Sequence, residues 1–220
     1  MSARIDQVSS AAAADGGPGA EQINIWIVGD DDEVIVIDPG SDAAAVLDVV
    51  GEREVLAVIC THGHAGHVAA AIEVAERDEA AVALHRKDRL LWREAHGEDE
   101  PDGPDIDMED GGIFEVADAT LEVIHAPGHT DGSVCLYSPE LGVVFTGDVL
   151  RAQGPVPHEG EFPDFAGQLT AIGENLLALP RETRVLPGHG RETTIAAAEK
   201  KFDSWVSGGP DPSYAVGLAE

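Results

Sequence analysis

The run Thr61-His62-Gly63-His64-Ala65-Gly66-His67 places three imidazoles within six residues. Neutral imidazole is the commonest side-chain ligand for zinc and its neighbours, and the interspersed glycines give the backbone freedom to turn several rings toward one point. A helix would spread them around its axis. The pattern recurs downstream as His129 in Pro127-Gly128-His129, Asp148 in Thr146-Gly147-Asp148 and His189 in Pro187-Gly188-His189-Gly190. One such histidine is ordinarily a hydrogen-bonded loop residue. Five of the nine histidines, joined by one carboxylate and each lying just beyond an expected strand, point instead to a shared centre suited to zinc or iron.

The elements that must position these residues can be read from periodicity. Val55 to Cys60 is a continuous apolar run, the mark of a buried strand, and it ends at the histidine cluster. Ile23 to Val28 and Val34 to Ile37 flank Gly29-Asp30-Asp31-Asp32, which predicts a hairpin. Ser41 or Asp42 can cap a helix running to about Val50, where Gly51 stops it. The spacing of Val68, Ala71, Ile72 and Ala75 predicts a helix over His67 to Arg77, followed by a strand over Ala81 to Leu84 and a short helix over Lys87 to Ala95. Strands are expected at 113–117, 120–125, 133–138 and 142–146, then a helix at about 164–178, a strand near 184–187 and a helix from 193 to 206.

Gly97 to Gly112 holds eight acidic residues with Pro101 and Pro104, and reads as an exposed loop with nothing to face a core. It divides the chain into two halves, each running strands first and helix last. That order predicts an α/β fold: a four-layer αββα sandwich of two mixed β-sheets flanked by helices. A single doubly wound parallel sheet competes, but the hairpins oppose it. Residues 1–22, rich in Ala, Gly and Ser, are expected to be a poorly ordered leader or an irregular first strand, with one domain over 23–206 and a tail over 207–220.

Composition excludes several function classes. With 42 Asp and Glu against 13 Lys and Arg in 220 residues, the net charge of -29 repels nucleic-acid phosphates and anionic membrane surfaces. No apolar run is long enough for a membrane span, and no secretory signal opens the chain, so a cytoplasmic protein is expected. Cys60 and Cys135 lie inside apolar runs and read as reduced and buried. Nothing resembles a phosphate-cradling loop or a dinucleotide turn.

The residues and their order resemble the metallo-β-lactamase superfamily, whose pattern is T-H-x-H-x-D-H, a distant P-G-H-T, a G-D after a strand and a late G-H. The likeness runs from about Ile23 to Val206 and includes Val36-Ile37-Asp38-Pro39-Gly40, similar to the family's early Asp-containing strand end. It implies a first metal site of His62, His64 and His129, a bridging Asp148, and a second site served by His67 and His189. The cofactor implied is zinc, one or two ions, with iron as the alternative. Asp148 and His67 are the candidate catalytic residues. The family's Asp before the last motif histidine is Gly66 here, so the second site has lost one anionic ligand.

The turn Pro127 to Ser133 and the closing Pro187-Gly188-His189-Gly190 look most similar to glyoxalase II-like hydrolases, which implies hydrolysis of a small acyl-thiol or ester substrate. Residues 207–220 are too few for the helical domain with which glyoxalase II grips glutathione, so another low-molecular-weight thiol is expected. Two alternatives stand beside hydrolysis: a mononuclear iron persulfide dioxygenase, and a metal-binding protein impaired by Gly66. Among other residues, Arg151 could hold a substrate carboxylate at the cleft mouth or be a surface arginine. His158 could touch substrate or be a solvated loop residue. Asp38 could orient a ligating histidine through its other ring nitrogen, Thr61 could brace the histidine loop, and His125, His85 and His96 read as structural or exposed.

Overall fold

Strands alternate their side chains between two faces, so a strand covered on both sides must be apolar throughout. β2 (Gln22–Gly29) shows this directly: Ile23, Ile25 and Ile27 join one buried cluster while Trp26 and Val28 join another. The computed structural model describes residues 2–11, 22–97, 103–155 and 164–208. They form two six-stranded mixed sheets packed face to face.

In the first sheet the order is β1 (Arg4–Ala11), β2, β3 (Glu33–Ile37), β4 (Glu54–Ile59), β5 (Ala81–Leu84) and β6 (Ile106–Asp107). β1 to β3 are antiparallel neighbours, and β3 to β6 are parallel. The second sheet comprises β7 (Ile113–Val116), β8 (Ala119–His125), β9 (Val134–Ser138), β10 (Val143–Gly147), β11 (Arg184–Pro187) and β12 (Thr193–Thr194) in sequence order across the sheet. Only β10 and β11 pair in parallel there.

Three apolar clusters hold four layers together. Between the sheets, Trp26, Ile35, Ile37 and Ile59 meet Leu121, Leu136, Phe145 and Leu186. Outside the first sheet, α1 (Ala43–Val50), α3 (Ala71–Glu76) and α4 (Arg89–His96) bury Val46, Val74 and Trp92 against Ile25, Val36 and Val58. Outside the second, α5 (Phe165–Ala171) with its continuing π-helical turn, and α6 (Ile195–Gly208), bury Ile172, Leu176 and Ile195 against Val144 and Val185. The architecture is the αββα sandwich expected from the strand and helix order.

Two expectations are corrected. The helix expected over His67 to Arg77 is broken into the single turn α2 (Ala65–Val68) and α3, because Ala70 N–H turns back to the Gly40 carbonyl at 2.8 Å. The acidic stretch is not wholly exposed: β6 extends the first sheet and Met108, 2% exposed, sits in the inter-sheet core. Its charges do not prevent this, because Asp105 and Asp107 use their carboxylates on Val82 N–H and Arg89. Arg4–Ala11 pairs with β2 along its whole length. Cys60 and Cys135 are buried free thiols, pushed up by burial and secondarily by Asp38.

Candidate metal centre

The site sits where strand ends meet across the sandwich. Asp38 follows β3, the histidine loop follows β4, His129 lies on the β8–β9 connection, Asp148 follows β10 and His189 follows β11. The two sheets are stitched here: Asn24 N–H donates to Gly188 O at 2.8 Å, and Asn24 Nδ2 reaches Pro187 O and Gly190 O at 3.0 and 2.8 Å. His189 Nδ1 lies 3.0 Å from Gln22 O. Its placement is therefore fixed by backbone from the other sheet.

The five histidines and Asp148 converge. Three groups bring ligand atoms within 4.8 Å of one another: His62, His64 and His129; Asp38, His62 and His67; and His67, Asp148 and His189. His129 Nε2 is 3.1 Å from His64 Nδ1, and His67 Nε2 is 3.2 Å from His189 Nε2. Asp148 Oδ2 lies 3.6 Å from His129 Nε2, 3.6 Å from His189 Nε2 and 3.8 Å from His67 Nε2, so it stands between the groups.

Polar partners behind the cluster set ring orientation. Asp38, at φ 50 in the left-handed region, accepts from Thr61 N–H and Thr61 Oγ1, each at 2.7 Å, and its Oδ2 lies 3.1 Å from His67 Nδ1. A non-glycine residue held there costs about 1–3 kcal/mol, a strain the surrounding bonds must support. Thr61 Oγ1 also reaches His62 Nδ1 at 3.1 Å. Both rings are thus held from the Nδ1 side.

Burial makes the electrostatics strong. Burial, then the imidazoles of His67, His129 and His64, keeps His62 well below the ordinary histidine range and therefore neutral, the form that binds metals. Burial opposes ionisation of Asp148, yet Arg151 with His67, His129 and His189 holds its carboxyl well below the usual carboxylate range. His62 Nε2 and Asp148 Oδ1 are buried without a hydrogen-bond partner. A neutral His62 imidazole and an ionised carboxylate, with an orphaned atom on each, fit zinc or iron.

Two residues that local sequence patterns do not reveal hold the loops in place. Asp88, 1% exposed, accepts from Gly63 N–H at 2.9 Å, Thr130 Oγ1 at 2.7 Å and Gly132 N–H at 2.7 Å, tying the histidine loop to the His129 loop. Gln168, fully buried, donates Nε2 to Val149 O at 2.9 Å and packs where any Cβ on Gly128 would collide, 2.4 Å away. Their partners are distant in sequence, and Asp88 sits in the hydrophilic run His85-Arg86-Lys87-Asp88, so nothing nearby announces its burial.

Arg151 is buried, 6% exposed, with Nη2 donating to Asp148 Oδ2 at 2.8 Å, so its guanidinium faces the ligand cluster and not solvent. His158 lies outside the described residues. His125 stacks on His85 with ring centroids 4.4 Å apart, and His96 bridges Trp92 O and Val68 O at 3.1 Å each. A Cβ on Gly66 would meet only Ile23 Cδ1, at 3.0 Å, so no close backbone approach demands glycine there. A cavity of about 430 Å³ lined by Gln22, Asn24, Gly190 and Arg191 adjoins His189.

A four-layer sandwich with a histidine and aspartate cluster at its strand ends defines a metallo-hydrolase class. The profile of the metallo-β-lactamase superfamily matches residues 18–189, and the chain belongs to that superfamily. It is similar to the probable metallo-hydrolase YqgX of Bacillus subtilis, 32% identical over 192 residues, covering 80% of this chain and 89% of the relative. It is also similar to the hydroxyacylglutathione hydrolase GloC of Haemophilus influenzae, 30% identical over 203 residues, covering 86% and 94% respectively. Among solved structures, TTHA1623 in a di-iron-bound form superposes with a TM-score of 0.70 at 30% identity, covering 86% of this chain and 96% of that one. No helix among the described residues is long and apolar enough to cross a membrane.

Proposed function

We propose that the chain is a metal-dependent hydrolase of a small thioester or ester, its metal held by His62, His64, His129 and Asp148. The observation that carries this reading is the pair of buried polar atoms, His62 Nε2 and Asp148 Oδ1, that find no hydrogen-bond partner within the ligand cluster. Each such atom left unsatisfied costs about 1–3 kcal/mol, a penalty that a cation bound by both groups would offset. When bound, zinc supplies a Lewis acid that polarises the substrate carbonyl and acidifies a water.

The chain's own residues supply the rest. Asp148 and His67 are the candidate catalytic residues: Asp148 is ionised, and His67, oriented through Nδ1 by Asp38, turns Nε2 toward the same carboxylate, so that the two together can orient a water. His189 and His67 form a second, weaker ligand group with Asp148. The name of the Haemophilus relative supports a thioester, with the thiol carrier left to the assay.

Protein purified without chelators is expected to carry zinc or iron and to hydrolyse members of a panel of thioesters and esters. Chelation should abolish turnover and metal return should restore it. His64→Ala or His129→Ala should lose both metal and turnover; full activity in either variant overturns the assignment. Two further readings stand beside hydrolysis, the second of them motivated by Gly66. Oxygen uptake on a persulfide by iron-loaded protein that ignores thioesters would establish a mononuclear iron dioxygenase. A large gain of hydrolysis in Gly66→Asp would mark an impaired metal-binding protein.

A further inference from the structure

We propose that the Arg151 guanidinium takes the place of a second metal's charge, so that the centre binds one ion per chain. This rests on the metal-centre reading above but not on which reaction the centre performs. The second ligand group, His67, Asp148 and His189, contains one carboxylate, and the oxygen of that carboxylate nearest the two imidazoles is Oδ2. Arg151 Nη2 already donates to that same oxygen at 2.8 Å, in a buried pair with both side chains about 6–7% exposed. Any ion entering this group would have to share Oδ2 with a fixed cation in a low-dielectric pocket, where like charges repel strongly.

The geometry also separates this device from the effect of Gly66 alone. A Cβ at position 66 meets only the end of the Ile23 side chain, so the missing carboxylate can be restored without rebuilding the backbone. Arg151 follows the ligand Asp148 by three residues on the loop after β10, held by reciprocal backbone bonds with Gly154 at 3.1 Å. Its cation is therefore a fixed part of the site. The first group keeps three imidazoles, His62, His64 and His129, that do not depend on this carboxylate, whereas the second has no other anionic ligand than the one Arg151 already neutralises.

The test is zinc titration of chelator-stripped full-length protein by calorimetry, with metal analysis after desalting. Wild type should bind one zinc tightly, with any second ion at least a hundredfold weaker. Gly66→Asp should remain a one-zinc protein because Arg151 is still present. Arg151→Gln, which can still donate to Asp148 but carries no charge, should tighten the second ion at least tenfold, and Gly66→Asp with Arg151→Gln should bind two. Arg151→Lys, which keeps the charge, should stay at one. Two tight ions in wild type, two in Gly66→Asp alone, or no change in Arg151→Gln each overturn the proposal while leaving a metal centre intact. No tight zinc in wild type removes the metal-centre reading and this inference together. If Arg151→Gln does not fold by circular dichroism, the Gly66→Asp and Arg151→Lys arms still decide.

Discussion

Gly188 packs directly against two candidate ligands. A Cβ there would lie 2.8 Å from His67 Cε1 and 2.9 Å from Asp148 Oδ1, so any side chain pushes on two ligands at once. Gly188→Ala is expected to weaken metal affinity at least tenfold with only a small change in folding midpoint, read by calorimetric zinc titration beside a thermal melt. His85 supplies a second residue-level test. Burial first, then stacked His125 and the nearby Lys87 and Arg86, opposed by Asp107, lowers it to about 4, and Lys87 N–H points at its Nδ1. Because the unfolded value is near 6.5, the unfolded chain takes up this proton first. Stability should then fall as pH drops from 6.5 toward 4 and stay flat above that window, with the His85 ring titrating near 4 by NMR. A midpoint near 6.5 would contradict this burial argument.

At the scale of elements, Asp88 is the joint between the two histidine-bearing loops. Replacing it with Ala leaves the buried N–H donors of Gly63 and Gly132 unpaired, while Thr130 Oγ1 keeps only Ser133 Oγ. Each costs about 1–3 kcal/mol less whatever water can reach, so Asp88→Ala should destabilise by a few kcal/mol in urea and loosen first-site zinc as well. Unchanged zinc affinity would show that the loops are fixed without it. The inter-sheet layer has its own test: Phe145, fully buried and 6.0 Å from the Trp26 ring, should cost about 3–5 kcal/mol when changed to Ala. Element boundaries were legible where the pattern was local. Ala81–Leu84 and Arg184–Pro187 fall where their apolar runs lie, and Asp42 caps α1 through Ala45 N–H. They failed where a distant partner intervened, as when Gly40 breaks the helix after His67 or β5 draws Ile106–Asp107 into a strand.

For the whole molecule, a centre built from five strand ends links metal binding to the integrity of both sheets. Zinc at a hundred times its Kd should stabilise the fold by about 2.7 kcal/mol, and a chelator should remove that gain. A midpoint indifferent to both would mean that the cluster does not bind the ion. The candidate ligands and their order were legible in the chain alone, because His62, His64, His67, His129, Asp148 and His189 each follow an apolar run and sit near glycine. Continuous apolar runs and the order of strands and helices in each half likewise made two sheets between helices readable, since strands apolar on both faces must be covered on both. What stands behind these candidate ligands emerged only from the folded arrangement. Asp88 bonds across 25 to 44 residues, and Arg151 turns inward to Asp148, because the free energy of these contacts depends on burial and distance, which no local run of residues encodes.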